Sequence, residues 1–150
     1  ATWEKIIMSN INIIWASMFG TAEDVAYDVF EDQKTNGVAI HEMNDVSMDQ
    51  LKEMKNVIFV TSTTGVGDVP TNGEEFWTEL EKADLDLKET KYAVCALGAS
   101  YHKEFCGAGR KIDARMEELG AERVSEIHKC DDDDEGAREY SVEVIKKILG

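Results

Sequence analysis

The sequence predicts a doubly wound α/β domain, a three-layer sandwich with a five-stranded parallel sheet between helices. Two observations carry that prediction. Apolar runs of the kind buried on both faces recur along the chain, at Ile11–Trp15, Val38–Ile40, Asn56–Thr61 and Lys91–Leu97. Stretches with helical spacing separate them in strict alternation, which places parallel strands in one sheet with crossover helices on both sides. At 150 residues the chain has the length of one ordinary domain, enough to bury roughly 70% of its unfolded surface. No internal repeat or linker divides it.

The elements follow in order. The first strand, Asn12–Trp15 preceded by Ile11, ends in the loop Ala16–Gly20. A helix from Thr21 to Phe30 follows, with Val25, Val29 and Tyr27/Phe30 at helical spacing. Thr21 is its expected N-cap, and Glu23 and Asp24 suit the positive end of the dipole. Asn36-Gly37 stops it. Val38–Ile40 is a short strand, Ser47–Met54 a short helix and Asn56–Thr61 the third strand. Asn72–Leu80 reads as a helix capped at or near Asn72, and Lys91–Leu97 as the fourth strand. Gly107–Leu119 carries Ile112, Met116 and Leu119 on one face and stops at Gly120 as a left-handed cap. Arg123–Ile127 is a weaker fifth strand, and Glu135–Leu149 the closing helix. Met8 is a candidate start, so residues 1–7, and at most 1–10, read as a leader or an added remnant.

Composition narrows the function. With 31 acids against 16 bases the net charge is −15, a surface that repels nucleic acid and anionic membranes and attracts proteins with basic faces. No apolar run approaches the ~20 residues of a membrane span, and the first eight residues are too short and too weakly charged for a signal peptide. Cys95, Cys106 and Cys130 are odd in number and lack metal-type spacing, which fits reduced thiols in the cytoplasm.

Three loops after three strands carry the chemistry, because ligands of open α/β sheets bind at the carboxyl ends of the strands. The first, Ala16-Ser-Met-Phe-Gly-Thr21, opens onto a helix N-terminus, where free N–H groups and the dipole bind anions. It holds no Lys or Arg, so it would bind phosphate by hydrogen bonds. It is neither a nucleotide P-loop nor the GxGxxG of a dinucleotide fold. The second, Thr61-Ser-Thr-Thr-Gly-Val-Gly-Asp-Val-Pro70, combines hydroxyl donors, two glycines and the chain's single proline. The third, Gly98-Ala-Ser-Tyr-His-Lys-Glu-Phe-Cys-Gly107, offers the planar rings of Tyr101 and His102. Taken singly, His102 reads as a solvated loop residue and Cys106 as a small buried hydrophobe. No nucleophilic triad and no metal site is spelled out.

Taken together, these loops resemble a known family. Ser-x-x-Gly-Thr-Ala-Glu-Asp-Val-Ala (17–26), Thr-Ser-Thr-Thr-Gly-x-Gly-Asp-x-Pro-x-Asn (61–72) and Leu-Gly-x-Ser…Phe-Cys-Gly-Ala-Gly (97–109) are similar to the three FMN loops of flavodoxins. Leu119-Gly-Ala-Glu-Arg123, followed by Cys130-Asp and an acidic stretch, resembles that family as well. The likeness spans roughly 11–150, in order, and is nearest the short, MioC-like and diflavin-reductase-like branch. It implies the flavodoxin-like strand order 2-1-3-4-5. A response-regulator receiver shares that sheet but needs acids where this chain has Ala16-Ser17 and Thr61-Ser62.

The resemblance also implies roles. Ser17, Met18, Phe19, Gly20, Thr21 and Ala22 would wrap the FMN phosphate, mostly through backbone N–H. Thr63, Thr64, Gly65 and Val66 would line one side of the isoalloxazine, with Gly65 as the peptide that turns towards the flavin N5. Gly98, Ala99, Ser100, Tyr101, His102 and Phe105 would form the other side, and Gly67 and Cys106 complete the set. Phe19 stands where many members have a hydroxyl, Thr64 and His102 where many have a stacking aromatic, and Ala99 where Asp is common. The implied function is that of a monomeric, cytoplasmic, free-standing one-electron carrier, not an enzyme, passing electrons on FMN between a reductase and acceptor enzymes. Basic-faced partners would dock on an acidic rim of Asp68, Glu74, Glu75, Glu104 and Asp131–Asp134. The alternatives are a flavodoxin-fold protein with weak or lost FMN binding, acting as a protein-interaction module, and the FMN domain of a larger diflavin reductase.

Overall fold

A computed structural model describes residues 2–63, 67–98, 106–131 and 134–150. The chain runs α1 (Trp3–Met8), β1 (Ile11–Ala16), α2 (Thr21–Gln33), β2 (Val38–Glu42), α3 (Met48–Glu53) and β3 (Asn56–Thr61). It continues through α4 (Glu74–Lys82), β4 (Lys91–Gly98), α5 (Gly107–Glu118), β5 (Glu122–Arg123), β6 (His128–Asp131) and α6 (Ala137–Leu149). The strands pair in parallel in the order β2-β1-β3-β4-β5, with β6 also beside β4. That is the predicted doubly wound sheet.

The continuous apolar runs are explained by two cores. Side chains alternate across each strand. Ile14, Val57, Phe59 and Val94 therefore face the layer of α1, α3, α4 and α5, and Ile13, Ile58, Val60 and Cys95 face α2 and α6. Phe59 packs on Phe76 of α4 with ring centroids 6.0 Å apart, and burial of each such ring contributes about 2–3 kcal/mol. The first layer also buries a polar pair. His41 Nε2 lies 2.7 Å from Asn12 Oδ1, and Asn12 Nδ2 is sealed without a partner. Burial, reinforced by the charge of Lys5, pushes the His41 pKa down to about 4.

Several expected boundaries shift for identifiable reasons. The fifth strand is not Arg123–Ile127. Tyr92 pairs with Arg123 and Cys95 with His128, so three steps along β4 oppose five along its neighbour. The two surplus residues bulge out and split the strand into β5 and β6. The side chain of Arg123 holds one end, forked on Asp113 at 2.9 and 2.7 Å, and the Tyr140 hydroxyl donates to Glu126 O within the bulge. The closing helix starts at Ala137 rather than Glu135, because Gly136 is left-handed at φ +77° and serves as its N-cap, while the Glu135 carbonyl accepts from the Cys130 thiol at 3.4 Å. Gly120 ends α5 as expected. Its φ is +96°, its N–H donates to Glu117 O, and Ala121 N–H donates to Met116 O, which is a Schellman closure. Residues 3–8, within the stretch read as a leader, form α1. Thr2 accepts from Lys5 N–H, and Ile6 is buried in the first core.

Candidate functional site

In this topology β1 turns to β2 on one side and to β3 on the other, so the chain's winding reverses beside the carboxyl end of β1. That switch point is where an open α/β sheet leaves a crevice. The loops after β1, β3 and β4 leave the sheet there from three adjacent strands.

The first loop is held in shape by its own side chain. Ser17 Oγ accepts from Gly20 N–H at 2.9 Å, closing residues 17–20 into a tight turn. Gly20, not Thr21, is the N-cap of α2, with φ +91° and no side-chain cap bond. A Cβ on Gly20 would meet nothing within 4 Å. The glycine is therefore required by its backbone angle, and the space above it is open. The first-turn N–H groups of α2 thus face that opening with no side-chain cap to satisfy them. Ala22 is fully buried, so only its main chain serves the loop. Met18 and Phe19 point their side chains outward.

Two cross-links tie this loop to the others. Ser17 N–H donates to Asn72 Oδ1 at 3.1 Å, and Ser62 N–H to Ala16 O at 3.0 Å. Asn72 is therefore engaged with the first loop and does not cap the helix predicted to begin there. Asn44 performs the capping from a distant loop. Its Oδ1 accepts from Glu75 and Phe76 N–H of α4 while its Nδ2 donates to Thr71 O. Neither long-range role has a local sequence signal. The turn at Gly73 is pressed so close that a Cβ would sit 2.6 Å from Met43 Sδ and 3.0 Å from Ala16 Cβ.

In the second loop Thr63 Oγ1 accepts from Ala108 N–H at 3.2 Å, which fastens it to the first turn of α5. Thr64, Gly65 and Val66 lie outside the described residues. Gly67 has φ +85°, and Asp68 is exposed and 3.7 Å from Lys111 Nζ. Of the third loop, Gly98 ends β4, and Ala99, Ser100, Tyr101, His102 and Phe105 lie outside the described residues, as do Glu104, Asp132 and Asp133 of the expected rim. Cys106 closes the loop. Its backbone is left-handed, with φ +53°, and its thiol donates to Ala96 O at 3.6 Å and Cys130 O at 3.9 Å. The residue is wholly buried. It anchors the loop's end to β4 and β6.

The donor set suits a phosphate monoester. It consists of hydroxyls and helix-end amides, in a loop free of lysine and arginine, around an opening that no Cβ fills. Among the described residues no group of His, Cys, Asp and Glu could hold a metal ion. Fold and loops together define a mononucleotide-binding α/β domain.

Comparison with known proteins makes the class specific. The family model described as Flavodoxin matches residues 13–143. The sulfite reductase [NADPH] flavoprotein alpha-component of Bacillus subtilis is 33% identical over 146 residues, 95% of this chain and 24% of that protein. The NADPH–cytochrome P450 reductase of Sus scrofa is 36% identical over 131 residues, 83% of this chain and 19% of that protein. The chain thus spans a quarter or less of the length of these curated relatives. Among solved structures, the Streptococcus pneumoniae TIGR4 flavodoxin has a TM-score of 0.79 at 30% identity, covering 93% of this chain and 97% of that one. The oxidised Flavodoxin 2 of Bacillus cereus has a TM-score of 0.78 at 28% identity, covering 91% and 98%. The chain belongs to the flavodoxin family, and FMN as cofactor and electron carriage as role come with that membership.

Proposed function

We propose that the chain passes single electrons on FMN between a reductase and acceptor proteins whose basic faces dock on its acidic end, working as a monomer in the cytoplasm. The observation that carries this reading is the first loop, an anion site built from amides and hydroxyls around the open N-terminus of α2. Ser17, Gly20, Thr21 and Ala22 would hold the phosphate, with the main chain of Met18 and Phe19. Thr63, Thr64, Gly65, Val66 and Gly67 would border the ring on one side, and Gly98 to His102 with Phe105 on the other. Cys106 would position the third loop's end.

Bound FMN supplies two successive one-electron reductions. The protein supplies the field in which they occur. With no cation in the first loop and a net charge of −15, added negative charge is opposed, which lowers the potential of the step that brings it. Among the described residues no helix is long and apolar enough to cross a membrane.

Titrating FMN into the apoprotein and following flavin fluorescence tests the reading. Saturable one-to-one quenching, followed by two resolved potentials on stepwise anaerobic reduction, is expected. Ser17→Ala should weaken binding by roughly tenfold, since it removes the hydroxyl that closes the loop. Absence of saturation at micromolar FMN would transfer the function to protein interaction alone.

A further inference from the structure

The phosphate loop has an apolar tip that phosphate binding does not use. Phe19 is 88% exposed, the highest value among the large apolar side chains described, and its neighbour Met18 is 57% exposed. Neither side chain shapes the loop, which is held by the Ser17–Gly20 and Ser17–Asn72 bonds. A phosphate gripped by main-chain N–H groups is likewise indifferent to them. Singly exposed apolar residues are ordinary on protein surfaces. Here two adjacent ones stand on the loop beside the cofactor crevice.

On the side built from β1, β2 and β3 their setting is anionic. No Lys or Arg occurs in residues 12–33, 38–51 or 56–81, the segments that build the carboxyl ends of β1, β2 and β3. Those segments place Glu23 and Asp24, Asp49, and Glu74 and Glu75 in the first turns of α2, α3 and α4. The cations Lys34, Lys52, Lys55, Lys82, Lys88 and Lys91 fall at the opposite end, where helices finish and strands begin. The β1–β3 part of the carboxyl end is therefore anionic, the cations Arg110, Lys111 and Arg138 belonging to the starts of α5 and α6, and Phe19 projects from that anionic part.

We propose that Met18 and Phe19 form the apolar anchor of the docking site for a one-electron acceptor protein whose redox edge is apolar at its centre and ringed by lysines. The anchor presupposes the electron-carrier reading. Charge brings such a partner to the correct end but discriminates little between orientations once there. A compact apolar contact at the centre of a polar rim supplies the remaining selectivity.

The test uses FMN-saturated protein, reduced with dithionite, desalted anaerobically and mixed with one of two oxidants. One is cytochrome c, a basic haem protein; the other is ferricyanide, a small anion with no docking surface. In each case one electron leaves the reduced flavin and one iron passes from the ferric to the ferrous state. The ratio of the two rates is expected to fall about tenfold in Phe19→Thr and to stay within about twofold in Phe19→Leu, which keeps an apolar tip. An unchanged ratio in Phe19→Thr overturns the proposal, as does an equal fall in both variants. If the wild-type protein reduces neither oxidant, the electron-carrier reading falls first and this proposal with it.

Discussion

At the amino end of the sheet the chain turns tightly and uses up its own polar groups. Asn10 and Ile11 N–H both donate to Gly37 O, Asn56 Nδ2 to Asn10 O, Lys91 N–H to Lys55 O, and the Thr90 hydroxyl to Met54 O. At the carboxyl end the loop after β1 leaves polar groups open. There a helix starts on a glycine with no side-chain cap, and a phenyl ring stands in solvent. Lys34, Lys52, Lys55, Lys82, Lys88 and Lys91 lie at the first end, and the first turns of α2, α3 and α4 at the second carry acids and no base. The helix dipole explains much of that split, because every crossover helix of a doubly wound fold starts at the carboxyl end. Fold and function thus occupy different ends of the same strands. The amino end satisfies its hydrogen bonds internally, and the carboxyl end leaves donors and charge for others.

That division can be attacked from either end. The largest expected effect is on stability and leaves the loops untouched. Neutral His41 is favoured by the fold, since its pKa of about 4 lies below the ordinary 6.5. Its contribution is complete above the unfolded value and is lost as pH falls from 6.5 towards 4. It amounts to on the order of 3 kcal/mol. Urea unfolding of the wild type and His41→Gln across that interval should show the difference between them narrowing as pH falls. A pH-independent difference would refute the assignment.

Next in size is the contact that seats the third loop's helix. A Cβ on Gly109 would lie 2.4 Å from Ala96 Cβ. Overpacking costs about 1–3 kcal/mol against about 1 gained in helix propensity, so Gly109→Ala should destabilise by up to about 2 kcal/mol. A lowered denaturation midpoint with weaker FMN binding is expected, because α5 holds Thr63 through Ala108 N–H.

Salt probes the difference in charge between the ends. Electron transfer to a basic acceptor protein should slow roughly tenfold between low and high ionic strength, while transfer to an uncharged oxidant stays flat. Equal salt dependence for both would mean that the acids are only a solvated face.

The smallest effect separates the two ends most cleanly. Gly20 (φ +91°) and Gly120 (φ +96°) are left-handed glycines at opposite ends, and neither lacks room for a methyl group. Alanine at either should cost about 1 kcal/mol of stability. Only Gly20→Ala should also raise the dissociation constant for FMN, measured by fluorescence quenching. If Gly120→Ala weakens FMN as much, the ends are not functionally distinct.

The sheet was legible in the sequence because burial on both faces leaves an unbroken apolar run, and β3 begins and ends at the residues the pattern marks. The stop at Gly120 was legible too, since it depends on neighbours a few positions apart. The interrupted fifth strand was not, because a bulge is defined by the register of the partner strand. Nor were the roles of Asn44 and Asn72, whose side chains serve backbone groups 31 and 55 residues away. Fold class and charge were therefore set out in the order of residues, with strand order following from the family resemblance. Packing in three dimensions was needed to assign each polar side chain to a backbone group, to give the buried Cys106 thiol its partners on β4 and β6, and to turn Phe19 towards solvent. Local periodicity reports what a residue prefers to bury; only the packed chain reports what it meets.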